Sequence, residues 1–425
     1  MHSSSDFRPR DVSLEASLVG AGAAVRGVLE KSLQGRELDY EDGLLLANAD
    51  GADLRALVKV ADEKRRERVG EIVTYVVNRN INFTNVCFVG CAFCGFGRGP
   101  NAADAYFLSL DEIVSKAAEA ARHGATEVCI QGGLPRDMDG YFYRDVVRAI
   151  KAALPGMHVH AFSPMEIAFG VERTGMPLRE YLLMLKDAGL GSIPGTAAEI
   201  LDDEVRARLS PNKLKVHEWV EIVRTAHSLG IPSTSTMMYG HTEQPEHWVR
   251  HILLLREIQK ETGGITEFVP LAFIHEKTRL YQRDRSRAGS TLREDLVVHA
   301  LGRLMLDGWV NNLQVSWVKL GFEVSLACLE AGANDFSGTL MEESISKSAG
   351  ATFGEYVPPD KFRQMIRGIG RIPAERSTTY RLREIFSAEA EDEMTAPFPR
   401  RALNILDSVP AAHHSGGGLG GSSNY

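Results

Sequence analysis

The run EIVTYVV at 71–77 is apolar and β-branched, the first of eight short runs of this kind along the chain. The others are TEVCIQ (126–131), MHVHAFS (157–163), GSIPG (191–195), STSTMMY (233–239), TEFVPLAF (266–273), LQVSWV (313–318) and ANDFSG (333–338). Between them lie stretches whose apolar residues recur three and four apart, such as SLDEIVSKAAEAARHG and KVHEWVEIVRTAHSLG. That spacing predicts helices, the first opened by a Ser N-cap and both closed by Gly. Strands alternating with helices predict a parallel sheet, and eight units is the number that closes a (β/α)8 TIM-type barrel.

From Leu14 to about Gly70 the pattern is helical without a strand signal. It predicts a helical N-terminal cap at 11–70, followed by a barrel with a C-terminal extension at 71–385. Residues 1–10 are polar and read as a flexible N-terminus. The segment 386–425 ends in SGGGLGGSSNY, the composition of a flexible Gly/Ser tail.

Composition narrows the function classes. With 44% hydrophobic residues among 425, the chain has ample material for a large core. A net charge of −8 argues against a nucleic-acid partner, whose binding surface is normally basic. No apolar run nears the roughly 20 residues that span a bilayer, so no membrane partner is expected. The N-terminus lacks the apolar stretch of a signal peptide. Five cysteines, three of them clustered, do not form a disulfide framework and predict a cytoplasmic protein.

A barrel places its chemistry at the C-terminal ends of its strands. Polar and glycine residues do gather there. Gln131, Gly132 and Gly133 end the second strand, and His160, Ser163 and Glu166 follow the third. Gly195, Thr196 and Glu199 follow the fourth, Tyr239 and His241 the fifth, and His275 the sixth. Lys319 and Asp335 fall near the ends of the seventh and eighth.

The loop after the first strand, in NFTNVCFVGCAFCGFG, carries Cys87, Cys91 and Cys94 in C-x3-C-x2-C spacing. Thiolates in that number suit zinc or an iron–sulfur cluster. A structural zinc needs a fourth ligand at matching spacing, and neither Cys129 nor Cys328 sits in a second CxxC. Both read as packing residues. A four-iron cluster held by three cysteines keeps one iron open to a substrate or cofactor. A zinc site completed from far along the chain, or three buried neighbours, stand as the alternatives.

The motif resembles the radical S-adenosylmethionine (SAM) superfamily, whose signature is C-x3-C-x-φ-C with an aromatic φ, here Phe93. The segments NRNINFTNVC, HVHAFSPMEI, IPGTAAEILDDEVR, STMMYGH, GGITEFVPLAFIH, WVKLG, GANDFSGTLMEESIS and RIPAERSTTY are similar to the FO synthase second-subunit family, over roughly residues 50–385. The resemblance implies one [4Fe-4S] cluster per chain, bound by the three cysteines and by SAM. It implies a radical that takes hydrogen from the amino group of L-tyrosine, so that the Cα–Cβ bond breaks. The 4-hydroxybenzyl group then joins C5 of 5-amino-6-(D-ribitylamino)uracil, on the route to the chromophore of coenzyme F-420. The first FO synthase subunit and a reducing electron donor are the implied partners. Relatives usually carry Ala after the third cysteine and a basic residue soon after the second; this chain has Gly95 and Ala92.

The resemblance also assigns residues. Gly132 and Gly133 fall where the superfamily backbone approaches the SAM amino group, although Leu134 replaces the usual acid. Glu199 and, more weakly, Ser163 fall near SAM. Each has an ordinary reading beside this: a tight turn, a carboxylate favoured by a helix dipole, a Ser-Pro turn. His160, Tyr239 and His241 are candidate substrate contacts, yet a lone histidine is more often structural. Lys319 is a candidate for the tyrosine carboxylate and Asp335 a candidate of open role. Asn80, Asn82 and Asn85 can bond the cysteine loop instead of a substrate. The nearest rival is a menaquinone-pathway radical SAM enzyme, an aminofutalosine synthase or a dehypoxanthine futalosine cyclase, which shares the NxTNxC wording. TAAEILDDEVR and STMMYGH favour the uracil–tyrosine transferase. A ferredoxin-like carrier or a zinc module needs far less chain, and a radical enzyme acting on RNA runs against the acidic balance.

Overall fold

The structure, a computed structural model, describes residues 12–387; the expected flexible N-terminus and nearly all of 386–425 lie outside the described residues. Among the described residues nine strands form: β1 Ile72–Val76, β2 Asn78–Asn82, β3 Glu127–Gln131, β4 His158–Ala161, β5 Ser233–Tyr239, β6 Ile265–Ala272, β7 Asp335–Gly338, β8 Ile372–Arg376 and β9 Leu382–Ile385. They make three sheets, ordered β7-β1-β8-β9, β2-β3-β4 and β5-β6. Every pairing is parallel except β8 with β9.

The expected fourth and seventh strands shrink to isolated bridges. His160 pairs with Ser192 and Ile193 with Ser233, while Phe268 pairs with Leu313 and Gln314 with Asp335. The physical reasons are local. GSIPG contains Pro194, which has no N–H to donate, and two glycines that weaken a strand. LQVSWV runs out at Ser316, because Trp317 opens the helix Trp317–Leu329. The first strand is longer than its apolar pattern: after Val77 it continues as NRNIN, which pairs with β3 residue for residue from Asn78↔Glu127 to Asn82↔Gln131. The hairpin β8–β9 has no counterpart in the sequence reading. It adds β8 to the outer edge of β1, with Ile72 opposite Ile372.

The helices form where spacing and caps predict. Ser109 caps Leu110–Arg122 in a capping box with Glu112, and Gly124 turns the chain at φ +84°. Before β1, helices Leu14–Gly20, Ala23–Leu33, Tyr40–Ala47 and Gly51–Val69 succeed one another. They pack on helices Pro245–Thr262 and Leu292–Met305. A Cβ on Gly43 would lie 2.9 Å from Met305 and Val249, and Arg256 donates to the Leu38 carbonyl at 2.8 Å. These helices share one apolar core with β1, β5 and β6. No helix of the described residues is long and apolar enough to cross a membrane.

Candidate active site

Two adjoining cavities, of about 250 and 260 Å³, open among the parallel strands. The first is walled by Cys87, Cys91 and Cys94, so it is here called the cysteine cavity. The second, the inner cavity, has a polar lining supplied largely by β2, β3 and β6–β8. Gln131, Thr196, Thr236, Leu271, Lys319 and Ser346 belong to both and mark their junction.

The cysteine loop is tied down by backbone bonds from several directions. Cys87 N–H donates to Arg98 O at 2.9 Å, Phe88 N–H to Leu134 O at 3.0 Å and Ala92 N–H to Leu209 O at 2.8 Å. Asn85 donates to Asp104 O and accepts from Tyr106 N–H, a loop-bonding role. Burial pushes the Cys91 thiol up to about 12. At Gly95 a Cβ would lie 2.6 Å from Ser348 O, which leaves no room for Ala.

Gly132, Gly133, Ser163, Glu199 and Phe93 all line this same cavity, on the same side of the fold as the cysteines. The two glycines answer a close approach of chain: a Cβ on Gly133 would lie 2.2 Å from Val86 O, and one on Gly132 2.5 Å from the Phe83 ring. Ser163 caps helix Pro164–Thr174 together with Glu166. Glu166 also accepts the Gly132 N–H at 3.0 Å, which links the turn after β3 to the turn after β4. Burial raises the Glu166 carboxyl to about 7 against those donors.

Glu199 is paired with Lys213 at 2.7 Å and lies 3.5 Å from Arg206. Lys213 Nζ sits 5.2 Å above the Phe93 ring. Burial opposes its charge, but Glu199 and Cys91 outweigh it and raise its pKa. Sequence reasoning missed Lys213, because it follows a helix and no strand; its only signal is its nearness in sequence to Glu199.

The remaining candidates separate. His160 lines the inner cavity, shares a 2.7 Å hydrogen bond with Ser192 Oγ, and is pushed down to about 4 by burial, so it is neutral. Lys319 lines both cavities, and its Nζ donates to Ser346 Oγ at 3.0 Å. Tyr239, His241 and Asp335 line neither. Strand alternation accounts for the first: Thr234, Thr236 and Met238 face the cavities, so Tyr239 faces out and donates to Asp295 at 2.7 Å. His241 is buried against Met238 O and Glu243. Asp335 is held in a buried ion pair with Arg376 of β8 and accepts from Thr74 Oγ1. Arg376 stacks 4.1 Å from the Tyr380 ring, and Tyr380 donates to Glu267.

Residues 81–255 match the radical SAM superfamily, and residues 262–389 match the CofH/MqnC C-terminal region. The chain is 50% identical, over 352 residues, to the 5-amino-6-(D-ribitylamino)uracil–L-tyrosine 4-hydroxyphenyl transferase of Methanocaldococcus jannaschii, covering 82% of this chain and 98% of that one. The chain belongs to this radical SAM transferase family. The transferase of Methanothermobacter thermautotrophicus is also 50% identical, over 83% of this chain and 96% of its own. FO synthase of Mycobacterium leprae is 53% identical over 81% of this chain, which spans only 40% of that longer protein. Among solved structures, methylornithine synthase aligns with a TM-score of 0.63 at 20% identity, over 82% of this chain and 97% of its own. The FeFe-hydrogenase maturase from Carboxydothermus hydrogenoformans aligns with a TM-score of 0.66 at 15% identity, over 84% of this chain and 80% of its own. These two likenesses bear on the fold, a mixed α/β radical SAM architecture.

Proposed function

We propose that the chain transfers the 4-hydroxybenzyl group of L-tyrosine to 5-amino-6-(D-ribitylamino)uracil, within a (β/α)8 barrel completed by the isolated bridges. The observation that carries this reading is the match, at half identity, to essentially the full length of a transferase of that name. The donor set agrees with it. Cys87, Cys91 and Cys94 line the same cavity. Three thiolates on one cavity fit a [4Fe-4S] cluster, which would take one at each of three irons and leave the fourth for SAM. When bound, the cluster and SAM supply the radical chemistry.

The chain's own residues supply confinement and orientation. Gly132, Gly133 and Glu199, facing the cysteines, are the groups to hold SAM, with Phe93 and Ser163 beside them. The junction of the two cavities is where tyrosine must lie, between the radical source and the acceptor, since reacting atoms must sit within near-contact distance. Lys319 stands at that junction. Burial lowers its pKa and Glu343 opposes the shift, so a substrate carboxylate would complete its charge pairing. Lys319→Met is therefore expected to raise the KM for tyrosine roughly 10–100-fold, the range for a lost charge-assisted hydrogen bond. Kinetics at varied tyrosine, with SAM affinity measured alongside, check this: an unchanged tyrosine KM removes Lys319 from the site.

The reading as a whole is tested by anaerobic incubation with SAM, a reductant, the aminouracil and isotopically labelled tyrosine, followed by mass spectrometry. Label at Cβ should enter the adduct, and label at Cα should appear in glyoxylate, the hydrolysis product of the released iminoacetate. Retention of the Cα label in the adduct would refute the bond cleavage. Turnover with a menaquinone-pathway substrate alone would install the rival enzyme. The electron donor and the first FO synthase subunit enter as functional partners, the second as consumer of the adduct.

A further inference from the structure

On β2, Asn78, Asn80 and Asn82 alternate with Arg79 and Ile81, so all three amides point to one face. That face lines the inner cavity. The three amides are unequally occupied. Asn78 donates to Glu127 at 3.0 Å and accepts from the Leu340 N–H at 3.0 Å, which uses both ends of its amide. Asn82 donates to Gln131 O at 3.1 Å, but its Oδ1 has no partner although the residue is only 8% exposed. A buried carbonyl oxygen without a donor is costly, and natural interiors rarely leave one unless something else supplies the hydrogen.

The two cavities differ in what they can recognise. Beside the cysteines, Phe93, Met165, Met238 and Phe273 give an apolar wall, and Lys319 offers a cation at the junction. Those features suit an aromatic amino acid with a carboxylate. The inner cavity offers the amides Asn80, Asn82, Gln131 and Gln314 among charged groups that pair within the protein: Arg376 lies beside Glu267, which also accepts from Gln314 and Tyr380, and Glu127 accepts from Asn78. A pyrimidinedione presents ring N–H donors beside carbonyl acceptors, and its ribityl chain adds hydroxyls, so it is a neutral ligand that amides match at both ends.

We propose that the inner cavity is the acceptor site, where Asn82 Oδ1 accepts an N–H of the ribitylaminouracil and Asn80 contacts the same ligand. This assignment rests on the transferase reading. It places the acceptor in the inner cavity, next to the junction where tyrosine lies, so that C5 of the pyrimidine can meet the group it is to receive.

The test uses cluster-loaded but unreduced enzyme, in which nothing turns over. Calorimetric titration with 5-amino-6-(D-ribitylamino)uracil and, separately, with L-tyrosine compares the wild-type protein with Asn82→Ala and Asn80→Ala, each checked for iron content. Asn82→Ala should weaken aminouracil binding about tenfold or more and leave tyrosine binding within about twofold. Asn80→Ala should shift the same ligand and serves if the first variant loads iron poorly. Unchanged aminouracil binding in both variants overturns the assignment, as does a loss confined to tyrosine. If the wild-type enzyme binds the aminouracil in an Asn82-dependent way yet forms no adduct once reduced, the site stands and the transferase reading falls. If it forms adduct and neither asparagine affects binding, the reverse holds.

Discussion

Cys91→Ser protein, reconstituted with iron and sulfide, is expected to hold almost no iron and to cleave no SAM. Cys91 is 8% exposed and sits on a loop fixed by backbone bonds to three other segments, so no neighbouring group can move in to replace it. A serine hydroxyl is a hard ligand that keeps its proton at neutral pH, whereas iron–sulfur clusters are held by soft thiolates. Cys87→Ser and Cys94→Ser should behave alike. Cys328→Ser is the control, because Cys328 is wholly buried in the apolar core and lines neither cavity. Iron quantitation and the visible spectrum read the result independently of activity. Wild-type iron content in the Cys91 variant would contradict the cluster assignment.

The second large effect is on stability. Arg376→Met is expected to destabilise the fold by about 3–5 kcal/mol, the cost of stranding a buried charge. The stranded group is Asp335, which is fully buried and whose carboxylate takes two bonds from the guanidinium. Glu267 lies 3.7 Å from the same guanidinium, and burial already raises its carboxyl to about 7. Removing both ends of the pair, as Arg376→Met with Asp335→Asn, should restore part of the loss, because what costs most is the unpaired charge rather than the missing attraction. Denaturant titration followed by circular dichroism measures both variants. An unfolding midpoint equal to wild type in the single variant would show that the pair contributes nothing.

Much of this arrangement was legible in the residues, and the rest was not for identifiable reasons. The cysteine loop, the glycines after β3 and Glu199 all reach one cavity because a parallel α/β fold brings strand ends together whatever lies between them. Periodicity located the helices for the same reason, since each needs one apolar stripe. Strand alternation defeated the choice of Tyr239: its position at a strand end is right, but its parity turns it outward. Asp335 looked available only because its partner, Arg376, lies on β8, a strand outside the eight-unit pattern. The NRNIN strand escaped notice because a lumen wall made of asparagines has no hydrophobic pattern to find. Asn82, for which bonding the cysteine loop stood as the alternative to a substrate contact, carries the unpartnered oxygen.

The placing of β8 beside β1 has a cost in time. Glu71 and Arg371, which meet where the two strands begin, are separated by 300 residues of chain. At ribosomal rates of about 5–20 residues per second, the first strand leaves the exit tunnel roughly 15–60 s before that partner does. During this wait the edge of IVTYV that β8 will cover presents unpaired N–H and C=O groups. Overproduction should therefore lose nascent chains to aggregation before any cluster is loaded. Slower synthesis, lower temperature or added chaperone capacity should raise the soluble yield more than extra iron does.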